Sequence, residues 1–248
     1  MKTALVLSAG GMFGAYQAGV WSELSTWFRP DLIVGASIGA INGWAIAGGC
    51  TPEELIERWL TLECARSYRL QMPRAIHGGV LDCRPLIALI EETYRRFQPR
   101  VDYAAVVTEL RTLQPRIVRG DAVSADTLKA TTAIFGLFEQ VRIEGKAYSD
   151  GGLLGALPIW AAAELGATRV IAVDALVSPP AIVKPFVRAL RLMTRFRPAV
   201  PARLEVIRIA PPTRLGSGRD MLCWSREKAE RWIDLGKRDA SRVTPVSI

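Results

Sequence analysis

The sequence predicts an α/β fold, a three-layer sandwich in which a central, mostly parallel sheet is flanked by helices. Short strand-like runs such as Thr3–Leu7 (TALVL) and Arg169–Val173 (RVIAV) are apolar almost throughout, and strands that are hydrophobic on both faces need a layer on each side. These runs alternate with segments whose apolar residues recur every three or four positions, the pattern of strand-helix units. The 248 residues, 50% hydrophobic and 23% charged, are predicted to form one domain, 1–248, with a large core.

Thr3–Leu7 stops at Ser8-Ala9-Gly10-Gly11, a tight turn, and Tyr16, Val20, Leu24 and Trp27 then mark a helix from Ala15 to Phe28 that Pro30 closes. Leu32–Val34 is a second buried strand, and Gly35-Ala36-Ser37-Ile38-Gly39 leads from it into a small-residue helix ending near Gly48-Gly49. Thr51-Pro52-Glu53-Glu54 combines a capping hydroxyl, proline at the first helical position and acids in the first turn, which predicts a helix to about Cys64. Farther on, a helix is expected over Arg84–Phe97, strands over Ala105–Glu109 and Arg116–Val118, and a capped helix over Ser124–Thr132. Gly145–Ser149 leads into Asp150-Gly151-Gly152, followed by a helix over Pro158–Leu165, strands over Arg169–Val173 and Leu204–Ile209, and a final amphipathic helix over Ser225–Ala240.

Composition narrows the chemistry. Cys50, Cys64, Cys83 and Cys223 are scattered, with no CxxC pair, so buried thiols are expected rather than a disulfide framework or a zinc site. The apolar run near Met1 is too short for a signal-peptide core or a membrane span, which predicts a cytoplasmic protein. A net charge of +8 and a pI near 9.7 suit an anionic partner without choosing among nucleic acid, membrane surface and acidic substrate. His77 is the only histidine, so a mechanism needing two is excluded.

Gly35-Ala36-Ser37-Ile38-Gly39 sets a serine on a sharp turn between strand and helix, where small neighbours leave the hydroxyl exposed and the helix N-terminus favours negative charge. A GxSxG string alone is weak evidence; its strand-turn-helix context strengthens it. A nucleophilic serine also needs oxyanion donors, and Gly10-Gly11-Met12-Phe13-Gly14, likewise between strand and helix, can aim backbone N–H groups at an anion. A dinucleotide loop is disfavoured because Ala9 stands at the first position of GxGxxG, and no GK[ST] follows. Two groups are candidates for the base. His77 lies in a glycine-flanked loop, where a lone histidine is more often solvated than catalytic, and Asp150 ends a strand before Gly151-Gly152, which permits close approach to another loop but also describes a simple turn.

LVLSAGGMFGAYQAGV, DLIVGASIGAINGWAIAGG and YSDGGLLGALP, in this order and spacing, resemble the glycine loop, GxSxG turn and DGG motif of the patatin-like phospholipases. The resemblance continues through Ala130-Thr131-Thr132-Ala133 and Arg169–Val173 into the last helix. It implies a Ser-Asp dyad acting on lipid acyl esters without a catalytic histidine, metal or cofactor. Carried over by motif, Ser37 would be the nucleophile, Asp150 its base, and the N–H groups of Gly10, Gly11 and Met12 the oxyanion hole, with Gly14, Gly35, Gly39, Gly151 and Gly152 shaping the loops. The chain departs from the family pattern at Ala9, where a third glycine is usual, at Phe13, where Arg or Lys is usual, at Phe135, a usual proline, and at Ala156, a usual asparagine. The alternatives are a carboxylesterase or thioesterase acting on non-phospholipid acyl groups, and an inactive lipid-binding or interaction protein that keeps the fold.

Between Ala175 and Leu204 there is no acidic residue, and Lys184, Arg188, Arg191 and Arg195 recur at helical spacing. A basic amphipathic helix suits peripheral contact with an anionic membrane; the competing reading is a surface helix packed by its apolar side with a solvated basic face. No nucleic-acid motif accompanies the charge, and no nucleic-acid partner is expected.

Overall fold

The computed structural model describes residues 1–62, 70, 78–178, 184–194 and 196–243. The predicted architecture is present: one eight-stranded sheet carries helices on both faces. Strands β1 (Thr3–Leu7), β2 (Leu32–Ala36), β3 (Asp102–Glu109), β7 (Arg169–Val173) and β8 (Glu205–Ile209) are parallel, in the order β3-β2-β1-β7-β8. Their C-terminal ends therefore share one edge. Alternate residues go to opposite faces, as the strand repeat requires: Leu5, Leu7, Ile33 and Ile171 enter one core, and Ala4, Val6, Val34 and Ala172 the other. The first core lies under α1 (Gly14–Leu24), α2 (Ile38–Ala47), α3 (Pro52–Leu60), α4 (Arg84–Arg96), α5 (Ala125–Thr132) and α9 (Arg226–Ala240). The second, built largely of alanine and valine, lies under α6 (Ile159–Glu164), with Trp160 packed edge-on against Phe196 at 5.0 Å.

β4 (Gln114–Arg119), β5 (Val141–Ile143) and β6 (Lys146–Ser149) are antiparallel additions at the β3 side. Thr108 and Glu109 pair with β4 on one side and β6 on the other, and β3 pairs with β2 only as far as Val106. β6 thus occupies the same flank of β3 as β2, beyond its end and pointing back at it.

Several boundaries differ from the sequence reading. α1 stops at Leu24, because Trp27 and Phe28 both donate to Leu24 O and turn the chain before Pro30. β3 begins at Asp102, and β4 spans Gln114–Arg119, each longer than expected because pairing, not side-chain pattern, sets strand length. The three-residue β5 and the short α8 (Gly218–Leu222) carry no period long enough to read. Cys50 is buried and its thiol is pushed up to about 12 by desolvation, as expected of a core thiol. Cys83 and Cys223 are only half-buried, a correction to the expected burial, since each lies at the end of a helix rather than beneath it. The basic segment is helical as α7 (Lys184–Met193). Arg195 and His77 lie outside the described residues, as do Cys64 and the side chains of Lys184 and Arg191.

Candidate active site

The abutment of β2 and β6 builds the site. β2 delivers Ser37 one residue past Ala36, and β6, running the other way, delivers Asp150 one residue past Ser149. Two loops that are more than a hundred residues apart in sequence thus meet head to head beside β3.

Ser37 has φ 54°, ψ −130°, a backbone conformation that non-glycine residues rarely adopt. Its N–H donates to Thr131 Oγ1 at 2.9 Å, and Thr131 Oγ1 donates to Val106 O at 2.6 Å, so α5 and β3 hold the strained turn from both sides. Backbone strain at a serine between strand and helix is the geometry of a nucleophile turn, but Ser37 is only 5% exposed, a correction to the exposed hydroxyl that its small neighbours predict. Ile38 then begins α2, whose first-turn N–H groups face the same edge.

Asp150 is 7% exposed. Its N–H donates to Ala133 O at 2.9 Å, its carbonyl accepts from Thr108 Oγ1 at 2.9 Å, and its Oδ1 accepts the Gly152 N–H at 2.7 Å. Desolvation raises its pKa to about 6, opposed by the neighbouring Ser37 hydroxyl and the Gly152 N–H, which favour the charged form. Oδ2 closes no hydrogen bond of ordinary geometry with a described residue, so the Ser37 contact is a near approach rather than a formed bond. Contacts of this kind commonly tighten only in the substrate complex. Gly151 donates to Thr131 O at 3.1 Å, and a Cβ there would stand 1.9 Å from Val106 O, so only glycine lets the loop run this close to β3.

On the other side of Ser37 lies the glycine loop. Gly11–Phe13 is a 3-10 turn leading into α1, and the N–H groups of Gly10, Gly11 and Met12 donate to no acceptor among the described residues. Gly11 has φ +56°, and a Cβ there would meet Met221 O of α8 at 2.2 Å. Gly14, Gly35, Gly39 and Gly152 stand equally close to neighbouring atoms. Ala9 fits because its methyl lies over Gly152, where a Cβ would stand 2.4 Å from it, and Ala9 N donates to Ala156 O at 2.8 Å. The glycine loop is thereby tied to the Asp150 loop. Phe13, at the usual basic position, is 3% exposed and packs edge-on against Trp232 of α9 at 5.0 Å. Apolar packing anchors the loop here. Phe135 is exposed.

Sequence reasoning missed the support behind these groups. Thr131 and Thr108 fix the Ser37 and Asp150 backbones. Gln17 Nε2 donates to Ser8 O at 2.7 Å, Asn42 Nδ2 donates to Gln17 Oε1 at 2.9 Å and to Gly14 O at 3.0 Å, and Trp59 Nε1 donates to Asn42 Oδ1 at 3.1 Å. This buried chain of amides joins the glycine loop to α2, the helix that follows Ser37. The available signal was an amide set among apolar and small residues in each of two helices, Gln17 between Tyr16 and Ala18 and Asn42 between Ile41 and Gly43.

Comparison with known proteins agrees with this layout. The chain is 28% identical over 187 residues to the Uncharacterized protein YjjU of Escherichia coli K12, covering 69% of this chain and 51% of that protein. It is 29% identical over 181 residues to the Uncharacterized NTE family protein Rv1063c of Mycobacterium tuberculosis H37Rv, covering 70% and 49%. The chain thus spans about half the length of the curated relatives it matches. Among solved structures, VipD from Legionella pneumophila shares the fold, with a TM-score of 0.50 at 12% identity over 97% of this chain and 66% of that one. The family model for patatin-like phospholipase matches residues 5–163, more than half of the sequence and all three loops of the site, and the chain belongs to that family.

Proposed function

We propose that the protein is a serine hydrolase that cleaves acyl esters of lipids through Ser37 and Asp150. The observation that carries this reading is a strained serine set beside a buried, elevated-pKa carboxylate. Ser37 Oγ attacks the acyl carbonyl while its proton passes to Asp150, and the N–H groups of Gly10, Gly11 and Met12 hold the oxyanion. Collapse expels the alcohol, which takes the proton from Asp150, and leaves an acyl-Ser37 ester. Water then attacks this ester, giving its proton to Asp150, and the acid leaves as Ser37 recovers its hydrogen. A carboxyl group titrating near 6 suits both roles, being ionised at neutral pH yet basic enough to accept a proton in the transition state.

Among the described residues no helix is long and apolar enough to cross a membrane. The proposal places the protein in the cytoplasm, reaching lipid from the aqueous side. Labelling with a fluorophosphonate, which reacts with activated serines, tests the nucleophile. The adduct is expected on Ser37 and absent from Ser37→Ala and Asp150→Asn. Folded wild-type protein that takes no label would instead be an inactive lipid-binding or interaction protein.

A further inference from the structure

α7 departs from what a packed surface helix should show. Its inward stripe is Val187, Leu190 and, just past its end, Thr194, which are half-buried or buried. Its outward stripe carries Arg188, yet also Leu192 and Met193, which are 74% and 73% exposed. A helix facing only water would turn these two large apolar side chains inward. A helix lying at a lipid interface presents this mixture, with apolar residues entering the acyl boundary and arginine at the headgroups.

The position of α7 is fixed from its C-terminal end. Thr194 Oγ1 donates to Leu113 O at 2.8 Å and accepts from Gln114 Nε2 at 3.1 Å, which fastens the helix end to the β3–β4 hairpin. Val106 of β3 is level with Ala36, next to Ser37, and the hairpin continues past Glu109. At about 3.3 Å per residue it projects roughly 10 Å beyond the nucleophile on the same edge of the sheet. Arg111 on that hairpin is exposed, and neither it nor Arg188 has an ion-pair partner among the described residues. The nearby Glu109 is neutralised by Arg116 at 3.1 Å, and no carboxylate occurs between Ala175 and Leu204.

We infer that α7 and the β3–β4 hairpin form a docking surface for an anionic phospholipid membrane, seating the Ser37 edge of the sheet against the bilayer. This deepens the proposed function by naming the physical form in which substrate is met, and it rests on that reading for its purpose.

The test is sedimentation of the Ser37→Ala protein with phosphatidylcholine vesicles, with and without phosphatidylserine. Binding is expected only with phosphatidylserine, weakening as salt rises. Each positive charge near an anionic surface is worth about five-fold in partitioning, so Arg188→Glu combined with Leu192→Ser and Met193→Ser should lower binding more than about 20-fold. In the Ser37-containing background the same triple variant should keep wild-type hydrolysis of a soluble short-chain ester and the wild-type melting temperature. Equal binding to both vesicle types, no binding to either, or full binding by the folded triple variant each overturns the proposal. So does capture of duplex DNA without vesicle binding, which would make the face a nucleic-acid surface. Vesicle binding is read in protein that turns nothing over, so failure of the Ser37–Asp150 chemistry leaves the docking result standing, and the reverse also holds.

Discussion

Replacing Asp150 with Asn separates the two consequences of its burial. The carboxyl titrates near 6 in the fold against an ordinary value of 3.8, a difference of roughly 3 kcal/mol between its protonation states. Between these two values the native state binds more protons than the unfolded chain, so stability falls as pH rises from about 4 to about 6 and is level above that. Asp150→Asn removes the titrating group while keeping an oxygen for the Gly152 N–H. At pH 8 the variant should therefore be more stable than wild type by up to roughly 3 kcal/mol, with the advantage gone near pH 4. Activity should move the opposite way. Wild-type hydrolysis of a soluble ester should fall about ten-fold from its plateau by pH 5, because only the ionised carboxylate accepts the proton from Ser37, and Asp150→Asn should lose about 100- to 10,000-fold relative to that plateau. Urea unfolding and initial rates, each measured from pH 4 to 8, supply both curves. An acid limb centred near 4, or an asparagine variant with more than about a tenth of the wild-type plateau activity, would refute the assignment of Asp150 as base.

Ser37→Gly should abolish turnover yet raise stability by about 1 kcal/mol in urea unfolding, because glycine adopts φ 54° without strain. Gly11→Ala should cost more than about 2 kcal/mol, since it combines a positive φ with a collision against Met221 O, whereas Gly10→Ala, with its nearest contact at 3.4 Å, should unfold within about 1 kcal/mol of wild type. Thr131→Val strands the Ser37 N–H and should cost about 1–3 kcal/mol. If Thr131 positions the nucleophile, kcat on a soluble ester should fall with KM little changed, and Thr131→Ser should recover most of the loss.

The sequence by itself determined the fold class and marked the three loops that make up the candidate site. Strands apolar on both faces require two covering layers, and glycine-rich turns at strand ends mark places where backbones approach closely, so TALVL-SAGG and DLIV-GASIG were legible as local physics, while YS-DGG, which by itself also describes a simple turn, was singled out by the family resemblance. Only the tertiary structure decided that these loops converge. β6 enters beside β3 from the direction opposite to β2, a pairing that depends on contacts remote in sequence and leaves no local period to read. The same holds for Thr131 and Thr108, ordinary polar residues until Ser37 and Asp150 are placed against them, and for Phe13, whose burial against Trp232 depends on a helix near the other end of the chain. For α7 the sequence supplied helical spacing and charge, and packing decided the outward face: Thr194 is bound to the hairpin, so Val187 and Leu190 turn inward and Leu192 and Met193 toward solvent. Hydrophobic period specifies that a helix has faces; which face meets the protein is fixed only when a neighbour is present to cover it.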